Sequence, residues 1–143
     1  EAGFDLAPTG WLRLRQVYTY SDFRFRGDAQ FGDNRLPVVP KHVYRAELRL
    51  GSDALHIAPN LEWVPDGPFA DYQGRVRTPG YALIGITGGA TIAKGIDAFV
   101  DVRNITGKKA IGDISAAIAV TPASAIYYPV ERRAISAGIR ARF

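Results

Sequence analysis

The sequence has no cysteine and no methionine among its 143 residues. Without cysteine there is no disulfide framework, no thiolate zinc cluster and no thiol nucleophile. No stretch approaches the roughly 18 apolar residues that read as a transmembrane helix. The first residues, Glu1-Ala2-Gly3-Phe4-Asp5, carry neither the basic start nor the apolar core of a secretory signal. With no initiator Met either, the expectation is a processed chain or a piece of a longer one. A phosphate loop is also missing, because no Lys-Ser or Lys-Thr pair follows Gly85, Gly88, Gly89 or Gly95. The basic excess is small: 18 Lys and Arg against 14 Asp and Glu give a net charge of +4 and a pI near 9.6. The arginines are spread along the chain and form no block, so a nucleic-acid partner is not expected. At 47% hydrophobic and 22% charged residues the chain is too apolar to be disordered and suffices for one domain.

What the sequence does have is alternation with a period of two, which marks strands with one apolar face. Ile135, Ala137, Ile139, Ala141 and Phe143 fall on one face, and Ser136, Gly138, Arg140 and Arg142 on the other. Tyr44, Ala46, Leu48 and Leu50 oppose Val43, Arg45, Glu47 and Arg49. Leu55, Ile57, Pro59, Leu61 and Trp63 oppose His56, Ala58, Asn60 and Glu62, although Pro59 removes a donor from its ladder. Ile96, Ala98, Val100 and Val102 oppose Asp97, Phe99, Asp101 and Arg103. In 11–20, Leu12, Leu14, Tyr18 and Tyr20 oppose Arg13, Arg15, Val17 and Thr19, with Gln16 interrupting the apolar face. In 81–92, Ile84, Ile86, Ala90 and Ile92 share a face. Phe23 and Phe25 are out of phase with Leu12 and Leu14, which predicts a bulge or strand standing clear of a membrane. With 1–7 as the first, the pattern gives about seven strands.

Loop length is segregated by side. Short turns are expected at Pro8-Thr9-Gly10, Gly51-Ser52-Asp53 and Lys94-Gly95, and long loops at about 27–40, 65–80 and 107–133. The apolar stretch Ile114 to Ala125 lies inside the last loop and shows no helical period. Trp11 and Phe143 fall at the short-turn ends, while Tyr18, Tyr20, Tyr44, Trp63 and Tyr81 fall toward the long-loop ends. Two aromatic belts, segregated loops and strands near the roughly 9–11 residues that span a tilted bilayer are the plan of a membrane barrel. The expected fold is therefore all-β: an antiparallel up-and-down transmembrane β-barrel segment with short periplasmic turns and long extracellular loops. Its apolar face meets lipid and its charged face lines the lumen. Two other readings fit alternation alone: a small structural outer-membrane barrel, and a soluble β-barrel binding an apolar ligand.

The last residues, Ser136-Ala137-Gly138-Ile139-Arg140-Ala141-Arg142-Phe143, resemble the C-terminal assembly signal of outer-membrane proteins, with Ser136, Gly138, Ala141 and Phe143 at the patterned positions. Val100-Asp101-Val102-Arg103-Asn104-Ile105-Thr106-Gly107-Lys108-Lys109 resembles the strand-and-loop motif near the end of TonB-dependent receptors. Gly107 stands where that motif has an acidic residue, and Ala110 near its aromatic. Ala58 to Pro65, Thr78 to Leu83 and Tyr18 to Phe25 resemble the same family. The resemblance implies that residues 1–143 are the C-terminal portion of a siderophore-type receptor barrel in the bacterial outer membrane, with no plug domain present. Its implied partners are outer-membrane lipid, the barrel-assembly machinery through the C-terminal strand, the remaining strands and plug domain, and the TonB energy-coupling protein through an N-terminal part. The implied function is TonB-dependent uptake of an iron chelate, without cofactor or catalysis.

The candidate ligand contacts are the loop aromatics Phe31, Phe69, Tyr72, Tyr127 and Tyr128, because exposed loop aromatics bind ligands more often than scattered wall residues do. Loop packing or the membrane rim is their plainer role. The expected lumen charges are Arg45, Glu47, Glu62, Asp101, Arg103 and Arg140, which either attract an anionic chelate or simply pair with one another. Asp97 and Asp101 share a face, but with no nucleophile or oxyanion hole beside them they read as part of a charge ladder, so no catalytic residue is named. His42 belongs to a long-loop end and His56 to a short turn, so no metal site is expected.

Overall fold

The computed structural model describes residues 1–142. Phe143, the terminal aromatic of the assembly pattern, lies outside the described residues. Among the described residues there are nine strands and no helix. They are β1 (Ala2–Thr9), β2 (Leu12–Tyr20), β3 (His42–Gly51), β4 (Leu55–Phe69), β5 (Arg77–Ala93), β6 (Ile96–Arg103), β7 (Ile111–Ile114), β8 (Tyr127–Pro129) and β9 (Ala134–Ala141). Seven of these form one sheet in the order β1-β2-β3-β4-β5-β6-β9, with every neighbouring pair antiparallel. These are the seven strands that the alternation marks. The remaining two, β7 and β8, pair only with each other, inside the excursion between β6 and β9.

Two of the three short turns close where glycine permits a left-handed backbone. Gly51 has φ 116° and Gly95 φ 75°, conformations that a side chain resists. At Gly51 a Cβ would also strike the backbone of Leu55.

The register keeps the two faces apart across every seam. Leu14 lies opposite Leu48, Leu61 opposite Ile84, Ile86 opposite Val102, and Ala98 opposite Ile139. On the other face Arg15 lies opposite Glu47, Arg45 opposite Glu62, and Asp97 opposite Arg140. Gln16, the polar interruption of the apolar face, is satisfied there by the Tyr44 hydroxyl, which donates to its Oε1 at 2.6 Å. Near the long-loop end of the same face the Tyr18 hydroxyl meets His42 Nδ1 at 2.7 Å, and Lys41 Nζ lies 5.4 Å from the Tyr20 ring centroid. Polar tips on aromatic bodies suit a boundary between hydrocarbon and water.

One loop is shorter than its sequence implies. Residues 65–80, with Pro65, Pro68 and Pro79, read as a long loop, but β4 runs on to Phe69 and β5 starts at Arg77. A register shift between Asp66 and Phe69 absorbs the missing proline donors. Gly67 and Gly80 let the two backbones approach where a Cβ would strike Thr78 and Pro65 respectively. The 15 and 17 residues of these strands exceed a bilayer span, so the hairpin stands out beyond its neighbours by about 20 Å. Phe23 and Phe25 follow the end of β2, in a segment tied back by a bridge between Arg24 and Arg35.

The apolar face has no covering layer. Leu55, Ile135 and Ile139 are 66%, 69% and 69% exposed, and Phe4, Leu6, Ile57 and Ile84 are exposed too. The molecule presents 9377 Å² to solvent, where a compact monomer of its mass presents roughly 7,300 Å². Among the described residues the outer edges of β1 and β9 pair with no strand, and the sheet is open. A soluble barrel with an apolar interior has no counterpart in this arrangement.

Candidate functional site

Two regions collect the polar chemistry: the charged face of the sheet and the cluster of excursions at the long-loop end. On the charged face, ion pairs cross the seams. Asp5 receives Arg13 Nε at 2.7 Å and Arg15 Nε at 3.1 Å. Arg45 Nε lies 2.7 Å from Glu62, whose second oxygen accepts the Tyr81 hydroxyl at 3.0 Å. Glu47 sits 3.9 Å from Arg15. Arg103 holds Asp101 at 2.9 Å and Glu131 at 3.4 Å. Asp97 faces Arg140 in register, yet its ion pair is with Arg142, at 3.8 Å. Arg140 has no carboxylate partner among the described residues. Apart from it, the expected lumen charges pair mostly with one another, in the manner of a charge ladder. A hollow of about 350 Å³ opens among Arg15, Arg45, Glu47, Asn60, Glu62 and Arg103.

Large side chains on this face sit over glycines of the next strand. Asn60 is opposite Gly85, His56 opposite Gly89, and Phe99 opposite Gly138. A Cβ at Gly138 would come within 2.6 Å of the Phe99 ring. The Gly138 of the assembly pattern therefore has a packing reason of its own. Ser136 faces Asp101 and Ala141 faces Ile96. His56 Nδ1 lies 3.4 Å from Arg49 Nη2, while His42 is on the apolar face at the opposite end of β3. Among the described residues no group of three or more His, Asp or Glu is placed to hold a metal ion.

The structure brings together two of the five loop aromatics and adds a third ring. Phe31 and Tyr72 have centroids 5.3 Å apart, and Phe25 lies 5.0 Å from Phe31 and 5.9 Å from Tyr72. Asn34 Nδ2 donates to the Tyr72 carbonyl at 3.0 Å. Phe69 stands apart at the end of β4, with the Arg77 guanidinium 5.5 Å from its centroid. Tyr127 and Tyr128 belong to β8, where the Tyr128 hydroxyl meets Ser115 Oγ at 3.1 Å.

Sequence reasoning misses the residue at the centre of this region. Asp71 is fully buried, and its Oδ1 accepts the amides of Arg75 at 2.9 Å and Val76 at 3.3 Å. Around it the excursions are stitched by backbone: Val38 N donates to Phe69 O, Tyr72 N to Ala117 O, and Ala117 N to Ala70 O. Val38 adopts φ 70°, strained for a β-branched residue, in making its bond. The sequence signal for this turn is Asp71 three residues before Gly74, which has φ 67°. Outside the strands, Asp22 takes Arg24 Nε and Arg35 Nε, each at 3.0 Å. The hydrogen bond from Arg24 holds the Asp22 carboxyl below its ordinary value of 3.8, with the charges of Arg24, Arg35 and Lys41 adding to it against a desolvation penalty.

Three solved receptors share this arrangement of strands. The siderophore receptor PiuA from Acinetobacter baumannii superposes with a TM-score of 0.72 at 17% identity, over 96% of this chain and 20% of its own. The ferric yersiniabactin uptake receptor FyuA from Yersinia pestis gives 0.77 at 16%, over 97% and 22%. The ferric-catecholate import receptor Fiu from E. coli K12 gives 0.72 at 16%, over 96% and 20%. The chain thus spans about a fifth of the length of the receptors it matches. No match was found among curated proteins. The family model for the TonB-dependent receptor-like β-barrel matches residues 1–105. Together with the antiparallel two-faced sheet, that match makes this chain a member of the TonB-dependent receptor β-barrel family.

Proposed function

We propose that the chain is part of the wall of an outer-membrane receptor that takes up an iron chelate by TonB-dependent transport. The observation that carries this reading is the division of the sheet: one continuous, exposed apolar face backed by a face of paired charges. Lipid covers the first and a polar lumen the second. The unpaired edges of β1 and β9 join the neighbouring strands of a complete barrel, which removes edges that lipid cannot satisfy. Residues 1–143 form its C-terminal portion, and the plug domain and the segment that meets TonB lie elsewhere in the receptor. Ser136, Gly138, Ala141 and Phe143 present the final strand to the assembly machinery.

In this reading Phe31, Tyr72, Phe69, Tyr127 and Tyr128 receive the chelate outside the membrane. Arg45, Glu47, Glu62, Asp101, Arg103 and Arg140 line the passage. The match to siderophore, ferric yersiniabactin and ferric-catecholate receptors supports an iron chelate as cargo. The test is uptake of radiolabelled ferric siderophores by iron-starved cells with and without the gene. Loss of uptake of one chelate in the deletion strain, restored by the wild-type gene, is the expected result. Unchanged uptake across catecholate, hydroxamate and phenolate chelates, together with a protein absent from the outer-membrane fraction, sinks the proposal.

A further inference from the structure

Among the described residues three polar side chains are buried: Asp71, Thr78 and Asn104. Two of them have partners throughout. Thr78 Oγ1 donates to the Pro68 carbonyl at 3.3 Å. Asn104 Nδ2 donates to the carbonyls of Lys108 and Glu131, and its Oδ1 accepts the Lys108 amide. Asp71 is engaged on one side only. Its Oδ1 accepts two amides, whereas its Oδ2 is buried without a hydrogen-bond partner. Among the described residues no Lys, Arg or His nitrogen lies within 4.0 Å of this carboxylate. The arginines nearest in sequence turn elsewhere. The Arg77 guanidinium donates to the Gly67 carbonyl and pairs with Asp66, and Arg75 is exposed. Two positions after Asp71, Gln73 Oε1 is a second buried oxygen without a donor.

A buried carboxylate without a counter-charge is costly, and folded proteins meet that cost by pairing it or by binding a metal ion. Water supplies hydrogen bonds but no compensating charge. Both free atoms are oxygens, one of a carboxylate and one of an amide, which suits a hard cation. Calcium accepts irregular sets of six to eight oxygens from carboxylates, amide side chains, backbone carbonyls and water. Magnesium demands near-ideal octahedral geometry and keeps several waters, which suits a buried turn poorly. We propose that Asp71 Oδ2 and Gln73 Oε1 hold a calcium ion, with backbone carbonyls or water completing its shell. The place of the turn gives the ion a role. Tyr72 N donates to Ala117 O, Ala117 N to Ala70 O, Val38 N to Phe69 O, and Asn34 Nδ2 to Tyr72 O. The turn thereby ties the first and third excursions to the second, and the cation at its centre holds them as one platform. A single formal charge among the ligands sets the dissociation constant on the order of 10⁻⁴–10⁻³ M, the range of extracellular calcium modules. The site concerns the long-loop end alone and does not depend on the cargo of the receptor.

The experiment is amide hydrogen exchange of the intact receptor in detergent micelles, in calcium, magnesium or sodium at matched ionic strength, or in chelator. With calcium at about ten times its dissociation constant, protection at Tyr72, Arg75, Val76 and Ala117 is expected to rise about tenfold over chelator. The β2–β3 ladder is expected to stay unchanged. D71N keeps an oxygen for the amides of Arg75 and Val76 but loses the charge, and its calcium response is expected to vanish. Q73E adds a charge and is expected to respond at about tenfold lower calcium. It also keeps the test open should D71N fail to fold. Wild-type exchange that is the same in calcium and in chelator overturns the proposal and marks a carboxylate satisfied by water or by the Gln73 amide. So does an equal response to sodium or magnesium, a calcium response retained by D71N, or a Q73E midpoint at or above that of wild type. A change spread evenly over the ladder overturns it too, because the cation then acts on the whole fold and not at this turn.

Discussion

The β4–β5 hairpin is two different structures end to end. From Leu55 to Trp63, against Ala82 to Ala90, it is a plain ladder whose side chains point alternately to two faces, with only Ala58 and Gly85 buried. Beyond that, the buried residues gather: Val64, Gly67, Pro68, Ala70, Asp71 and Thr78 on the hairpin, with Pro37, Asn104 and Ile114 from the excursions beside it. Protein packs on protein chiefly at the long-loop end. In the proposed membrane wall, the packing partner along the ladder is hydrocarbon. On that reading hydrophobic burial acts at the two ends through different solvents, and substitutions should sort by end and by face.

The largest difference is expected across a single step of β5. Ile86→Arg places a charge on the apolar face, which in the proposed membrane wall costs about 2–4 kcal/mol near the bilayer centre. Thr87→Arg turns a charge to the other face, opposite Asp101, and stays within about 1 kcal/mol. Urea titration of the receptor in phospholipid vesicles measures both. Equal costs would remove the distinction between the faces.

Within the packed end, Asp71→Ala strips the acceptor from the amides of Arg75 and Val76 and costs about 1–3 kcal/mol of local stability. Amide exchange should quicken at Tyr72, Arg75, Val76 and Ala117, and remain unchanged along the β2–β3 ladder. An equal change in both places would show the packed end and the ladder to be one cooperative unit.

These two sites also differ in how far the sequence exposes them. Ile86 and Thr87 are assigned to opposite faces by alternation alone, because strand geometry turns every second side chain the same way. The seven strands are legible for that reason, as is the sharing of one face by the charges within each strand; which charges pair depends on the register between strands. The distal hairpin is not. Pro65, Pro68 and Pro79 predict a loop, and only the tertiary register shift and the close approach at Gly67 and Gly80 allow strand there. Asp71 reads as an ordinary turn carboxylate because its burial depends on Ala117, 46 positions away, arriving beside it. Phe25 is passed over for the same reason, since nothing local tells that it meets Phe31 and Tyr72.

A smaller effect separates the aromatics. Tyr72→Ala removes two ring contacts worth about 0.5–1.5 kcal/mol each. Under the proposed ligand role it weakens chelate binding several-fold, read by fluorescence quenching. In double-mutant cycles Phe31→Ala and Tyr72→Ala should couple, because the rings touch, whereas Tyr72→Ala and Tyr128→Ala should add independently. Additivity in the first pair would dissolve the cluster as a unit.

The smallest effect belongs to Asp22, whose carboxyl ties Arg24 to Arg35 across the first excursion. Its value is depressed below 3.8 in the fold by the Arg24 hydrogen bond and the surrounding cations. A depressed acid contributes stability that is complete above its unfolded value and fades as pH falls through the folded one. At neutral pH Asp22→Asn should therefore raise proteolysis between Arg24 and Arg35, modestly and less so in high salt, since the pair is open to solvent. Well below the folded value wild type and variant should be cleaved alike by an acid protease. The ladder has no part in this equilibrium, so its thermal melting at neutral pH should not distinguish the two proteins. A shift there would mean that the excursion and the wall are coupled through the outer end of β2, where Tyr20 donates to Asp22 at 3.4 Å.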